Sequence, residues 1–200
     1  MNGFRPALLV LAMALSAATL PGQAEEKAAP LTPERFETIK LDADDAYNAR
    51  RYKEAFGMFH DALAKHGDAY GQYMTGIMLR EGLGTKKDVP MGTAWMMLAG
   101  EQGNLTILEA ANIAAAKLSP GDERLANLAL RELRHEYSNC ALLRELVDEL
   151  DNHVTNRNTP TAPASRYMVV YGEKGGDVDQ ALLEKRLRLQ RRVYQRHCVR

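Results

Sequence analysis

Residues 69–104 have the sequence AYGQYMTGIMLREGLGTKKDVPMGTAWMMLAGEQGN, and this stretch decides the fold. Its first half carries apolar residues at helical spacing, namely Tyr70, Tyr73, Met74, Ile77 and Met78. A stripe at i, i+3, i+4 and i+7 is typical of an amphipathic helix. The stretch therefore predicts a first helix that ends at the glycines that follow.

A glycine loop and a capping residue separate this helix from a second one. Gly82 and Gly84 supply backbone freedom where the chain must turn sharply. Asp88 is a good N-cap residue, and Pro90 suits the first helical turn, where its missing N–H costs nothing. The second helix ends at Gly103 and Asn104, and its apolar side consists of Met91, Trp95, Leu98 and Ala99.

This helical hairpin resembles a Sel1-like repeat, a relative of the tetratricopeptide repeat of roughly 36 residues. The matching positions are Gly76, Gly82, Gly84, Asp88, Trp95 and residues 99–104. Four positions depart from the family pattern, which prefers leucine, tyrosine, valine and alanine where this chain has Thr75, Leu79, Thr85 and Gly92. The resemblance implies a scaffold that binds other proteins.

A repeat of this kind needs neighbours to bury its apolar face, and weaker copies lie on both sides. Residues 41–68 resemble a degenerate first repeat without a glycine loop. Residues 105–118 predict an alanine-rich helix, after which Ser119 and Asp122 have the spacing of a capping box. The resemblance thus covers 41–137. The alternative is one helical hairpin inside an ordinary bundle.

We therefore predict an all-α fold, a short α/α solenoid of Sel1-like or tetratricopeptide-like helix pairs over residues 32–137. Residues 138–200 are predicted to form a C-terminal helical extension with a loop at 152–177. Within that loop, residues 167–171 are β-prone but have no visible partner strand. The sequence leaves open whether the helices on either side of 138–139 are continuous.

Residues 1–24 have the features of a signal peptide. A basic start is followed by an uncharged apolar run of 14 residues at 7–20, and Gly22 and Ala24 are small residues suited to cleavage after Ala24. A run of 14 residues is too short to span a bilayer comfortably, so no transmembrane anchor is predicted. Residues 25–31 are a linker. We expect a periplasmic protein, exported by a bacterium.

The sequence contains two cysteines, Cys140 and Cys198. In an oxidising compartment an even pair favours a disulfide, and the alternative is two free, buried thiols. A bond requires the two Cα atoms to lie within about 7 Å of each other.

Catalytic motifs are absent from the sequence, which has no HExxH, CxxC, Walker loop, GxSxG or SxxK. The histidines show no ligand-like spacing, so we expect no catalytic residues, metal or cofactor. Our functional hypothesis is a non-enzymatic scaffold for an envelope protein that binds in the concave groove, with Tyr70, Tyr73 and Met74 as the residues to test. The alternative is a Sel1-like protein that binds or hydrolyses β-lactams or cell-wall material, although the cysteine pairs of that class are missing.

Charge is balanced overall, with 26 Lys and Arg against 26 Asp and Glu, but the last helix is basic. Three interpretations of its cations stay open. They could stabilise the helix dipole without any ligand, bind an anionic envelope component such as lipid head groups or an acidic protein, or bind nucleic acid. Export argues against nucleic acid. The candidate residues are Arg188, Arg191, Arg192 and Arg196.

Overall fold

The computed structural model describes residues 33–155 and 180–199. In chain order its α-helices are α1 (Pro33–Asn48), α2 (Tyr52–Gly57), α3 (Ala69–Glu81), α4 (Val89–Gly100), α5 (Leu105–Ala116), α6 (Pro120–Tyr137), α7 (Asn139–Thr155) and α8 (Gln180–His197). No strand occurs in these two ranges, so the predicted all-α class is confirmed for them. The predicted signal peptide, the linker at 25–31, most of the 152–177 loop and its β-prone run lie outside the described residues.

The hairpin of α3 and α4 has the local structure that the sequence predicts. Asp68 and Asp88 cap the two helices, since their carboxylates accept from the backbone N–H of Gly71 at 2.6 Å and of Met91 at 2.9 Å. The connecting loop begins at Gly82, which has a φ of +73°. Local chemistry alone therefore sets where both helices begin and where the first one ends.

Glycines also allow α3 and α4 to approach each other closely. A Cβ on Gly92 would lie 2.5 Å from the carbonyl oxygen of Gly76, well inside van der Waals contact. An alanine at position 92 would clash with the α3 backbone. The close approach of the two helices therefore requires glycine there.

The segment after α2 is irregular. The helix continues as a π-helical stretch over Met58–Leu63 and closes with a 3₁₀ turn over Ala64–His66. This stretch still buries Phe59 and Leu63 against α1 and α3. The chain then leaves the turn through Gly67 at a φ of +82°.

Two apolar clusters form the centre of the described structure. The first joins α1, residues 52–66 and α3, and includes Phe36, Phe59, Leu63 and Met78. We call residues 52–66, which comprise α2 and the irregular stretch after it, the α2 segment. The second forms where α4 meets α6, and includes Trp95, Leu98, Leu130 and Leu133. α4 packs against α3, α5 and α6 and is therefore the central helix. The α3–α4 hairpin is thus joined to α5 and α6 through α4.

The C-terminal helices form a third cluster, separated from α6 by a sharp break. Ser138 has extended backbone with a ψ of 154°, and its hydroxyl accepts from the N–H of Ala141 at 3.2 Å. The serine therefore ends α6 and caps α7, so the helices on either side of 138–139 are not continuous. α7 and α8 then pack through Leu143, Leu146, Val147, Leu150 and Leu187.

Cys140 and Cys198 lie at disulfide-bonding distance, with their Cα atoms 5.5 Å apart. This spacing satisfies the limit of about 7 Å. The pair joins the first turn of α7 to the end of α8. In the described ranges, no helix combines the length and the apolar character needed to cross a bilayer.

Candidate functional site

The candidate surface lies on α3, where Tyr70, Tyr73 and Ile77 point in one direction because they are three and seven positions apart. We call these three residues the tyrosine face. Tyr70 is 37% exposed, and Tyr73 and Ile77 are half-buried. The rest of α3 is mostly covered by its neighbours, so this side is what the helix offers to a partner.

Tyr70 is held in place at both ends of its side chain. Its hydroxyl donates to the Asp44 carboxylate on α1 at 2.8 Å, and its ring meets the Phe59 ring edge-on at 5.9 Å. Burial and, next, the hydrogen bond to Asp44 raise the pKa of the Tyr70 hydroxyl to about 12. The hydroxyl therefore stays protonated at neutral pH and keeps donating to Asp44.

Tyr73 connects the tyrosine face to the helices on both sides. Its ring packs against the α1–α3 cluster and also against a small cluster of Met96, Ala111 and Ala114 between α4 and α5. The tyrosine face therefore lies between α1, which contributes Asp44, and α5. This ring is both a packing residue and part of the exposed surface.

Met74, the third residue predicted to bind a partner, lies in the interior. It is 7% exposed and belongs to the α1–α3 cluster with Phe59 and Met78. Its side chain offers almost no surface to another protein. Ile77, which the sequence analysis left out of the candidate set, is the apolar residue that shares the exposed side with the tyrosines.

A buried amide network is centred on Gln72, in the first turn of α3, and was missed at the sequence level. The fully buried Gln72 donates to the carbonyl oxygens of Ala64 and Tyr137, both at 3.2 Å, and accepts from Gln102 at 2.9 Å. Gln102 also donates to the Gly67 carbonyl at 3.1 Å. The network ties the α2 segment, α3, α4 and α6 together, so we assign it a structural role.

An aromatic stack surrounds Trp95. The Trp95 ring stacks on Tyr137 at 5.4 Å and meets the edge of His60 at 5.7 Å, and His60 in turn stacks on Phe56 at 5.1 Å. Burial, and next the nearby charge of Lys65, lower the pKa of His60. A neutral imidazole suits this apolar contact, and the ring is positioned both by the stack and by the Asp61 carboxylate, 2.9 Å from its Nδ1.

The basic residues of α8 have different surroundings. Arg191 pairs with Asp151 on α7 at 2.5 Å, and Arg188 lies 3.6 Å from Glu184 on its own helix. Arg192 donates to the backbone carbonyl of Arg188, at 3.4 Å, and Arg196 is exposed. The four candidate arginines are therefore not equivalent, because Arg191 faces α7.

The described residues contain no group of three or more His, Cys, Asp or Glu side chains that could together hold a metal ion. In the comparisons with known proteins, no protein-family description, curated protein or solved structure matches this chain.

Proposed function

We propose that this chain is a non-enzymatic scaffold of the Sel1-like type, exported to the periplasm, that binds a segment of an envelope protein. In this proposal the helix pairs stack as a short solenoid, and α1, α3 and α5 line its concave side. The observation that carries the proposal is the tyrosine face, which presents two aromatic rings between α1 and α5.

The packing around α4 supports the stacked arrangement. α3 and α4 form a hairpin, and α4 also packs on α5 and α6, which are the next two helices along the chain. The first cluster links the preceding pair, α1 and the α2 segment, to α3. Such contacts between sequence neighbours are what a helical repeat array requires.

The chemistry of the tyrosine face suits a protein ligand. Tyrosine supplies a large contact area with few rotatable bonds, so ordering it on binding costs little entropy. Tyr70 is already ordered by Asp44 and Phe59 before any partner arrives. An extended or helical segment with an apolar side chain could pack on the exposed ring edges.

Site-specific photocrosslinking tests the proposal. A photoreactive phenylalanine analogue replaces Tyr70 in one protein and the exposed Leu128 of α6 in a control. Both proteins are irradiated in an envelope extract of the source cells. We expect a discrete adduct of defined mass from position 70 that position 128 does not give.

Measuring the affinity of Tyr70 variants for the crosslinked partner then distinguishes a loss of surface contact from a loss of folding. Tyr70→Ala should weaken binding about tenfold or more, as truncation of an aromatic anchor commonly does. Tyr70→Phe, which keeps the ring and loses only the bond to Asp44, should retain most of the affinity. Identical adducts from positions 70 and 128, or full affinity in a folded Tyr70→Ala, Tyr73→Ala protein, would overturn the proposal.

A further inference from the structure

The outer side of α8 combines cations with exposed apolar side chains. The cations Lys185, Arg188, Arg192 and Arg196 follow one another at steps of three or four positions and therefore share this side of the helix. Leu189 and Val193, which lie four positions apart beside them, are 53% and 38% exposed. We call these six residues the outer α8 face.

We propose that the outer α8 face is a peripheral binding surface for an anionic phospholipid bilayer. The helix would lie in the plane of the membrane surface, with its cations at the phosphate groups and Leu189 and Val193 at the boundary of the acyl chains. This surface is distinct from the tyrosine face, and the proposal does not depend on the scaffold function.

Charge on α8 is concentrated far beyond that of the chain as a whole. The helix carries six Lys and Arg residues and one Glu, whereas the full chain has equal numbers of cations and carboxylates. Within the described ranges, no carboxylate forms an ion pair with Lys185, Arg192 or Arg196. Their charge is therefore available to an external anion.

The helix dipole does not account for these cations. A dipole favours positive charge only in the last turn, which here contains Arg196 and His197. Lys185, Arg188 and Arg192 lie further toward the N-terminus of the helix. Their position requires another explanation, and an external anionic surface provides one.

The rotation of α8 is fixed, so the outer α8 face points away from α7. On the opposite side Leu187 is buried, Tyr194 packs beside it, and Cys198 lies at bonding distance from Cys140. A helix held in this way presents its cations and its two apolar residues together, without a loss of side-chain packing elsewhere. This arrangement favours reversible adsorption to a surface.

The exposed apolar pair favours a bilayer over other polyanions. Nucleic acids attract the same cations by charge, but phosphate contacts make no use of Leu189 and Val193, which are exposed in the middle of the basic stripe. A membrane interface uses both components, because apolar side chains enter the region below the head groups. The two contributions can therefore be separated experimentally.

Vesicle binding provides the test. The probe is the chain without residues 1–24, whose apolar run would itself bind lipid, and it is sedimented with vesicles of phosphatidylglycerol and phosphatidylcholine or of phosphatidylcholine alone. We expect partitioning into the anionic vesicles only, weakening as salt is added. Arg192→Glu with Arg196→Glu should lower the partition coefficient at least tenfold, and Leu189→Ser with Val193→Ser about threefold or more.

A matched control makes the charge change in another exposed place. Arg124→Glu with Arg131→Glu on α6 alters the net charge equally and should leave partitioning almost unchanged. If the α8 charge reversal lowers the melting temperature, Arg192→Gln with Arg196→Gln replaces it, with a smaller but clear loss expected. The proposal is overturned by an equal loss in the α6 control, by an unaltered Leu189→Ser, Val193→Ser protein, or by binding to heparin or DNA without binding to vesicles.

Discussion

At the scale of single residues, Trp95 contributes most clearly to stability. Its ring is 2% exposed and packs between Tyr137 and His60. We expect Trp95→Ala to lower the free energy of unfolding by about 3–5 kcal/mol, because the change removes buried area and leaves a cavity. Urea denaturation followed by circular dichroism measures this, since the only tryptophan is lost. Trp95→Phe should cost less, and an unchanged midpoint in Trp95→Ala would contradict the burial.

Gly84 and Gly103 allow backbone strain to be separated from steric clash. Both have a positive φ, +70° and +91°, but a Cβ on Gly84 would lie 2.1 Å from the carbonyl oxygen of Tyr52, whereas nothing lies within 4 Å of one on Gly103. Gly103→Ala should therefore cost only the left-handed backbone term, about 1–2 kcal/mol. Gly84→Ala should cost clearly more. Equal losses of unfolding free energy in the two variants would refute the close contact between the loop and α2.

His60 should make stability depend on pH. Burial lowers its pKa in the folded protein below the ordinary value of about 6.5, so the unfolded chain binds the proton more tightly. The contribution of His60 is present above pH 6.5 and is lost as the pH falls from there through the folded pKa. NMR titration of the imidazole should give a pKa below 6.5. A value at or above 6.5 would contradict this pH dependence, because the Asp61 carboxylate, 2.9 Å from the ring, would then outweigh the burial.

Which residues could be predicted from the sequence depends on how local their chemistry is. Asp88 caps α4 and Gly82 ends α3 through contacts within a few residues, and both were predicted. The burial of Met74 depends instead on where α1 and the α2 segment lie, because helical spacing alone does not say which apolar residues of a stripe are covered. The amide network of Gln72 could not be predicted either, because its partners Tyr137 and Gln102 are distant in sequence.

The same distinction holds at the scale of elements. Residues 41–68 were predicted to form a degenerate helical repeat, but the π-helical stretch over Met58–Leu63 was not predicted, because Phe59 and Leu63 have the four-residue spacing of a regular helix. The break at Ser138 involves neither proline nor glycine, and its serine cap became recognisable only from the extended backbone. Element type was therefore accessible from the pattern, whereas irregular geometry was not.

The pairing of α7 with α8 leads to a prediction about the cysteines. Closing the 58-residue separation between Cys140 and Cys198 should stabilise the fold by about 4 kcal/mol on the chain-entropy model, less any strain. Cys140→Ser with Cys198→Ser should lower the unfolding free energy by up to that amount. Hydrogen exchange should become faster in α8, where the packing of Leu187 and Tyr194 and the ion pair of Arg191 with Asp151 remain, but not in α3 and α4. Two free thiols titrated in denatured, unreduced protein from the periplasm would refute the bond.

At the scale of the whole molecule, the two proposed binding surfaces lie on separate parts of the described chain. The two central clusters, together with the small cluster of Met96, Ala111 and Ala114, join the helices from α1 to α6, and α3 carries the tyrosine face. α7 and α8 form their own cluster, and α8 carries the basic outer face. Protein binding and membrane adsorption, as proposed above, would thus use separate elements. Loss of one surface should leave the other functional.

Export is the condition on which the disulfide, the partner and the membrane all depend. The basic start, the 14-residue apolar run and the small residues Gly22 and Ala24 predict cleavage after Ala24. N-terminal sequencing of protein from a periplasmic extract should therefore begin at Glu25. Ala24→Leu, which places a bulky residue at the cleavage position, should leave a longer form that stays with the membrane, while Ala29→Leu in the linker should be processed normally. An intact Met1 in the cytoplasmic fraction would contradict export, and with it the oxidising compartment that favours the bond between Cys140 and Cys198.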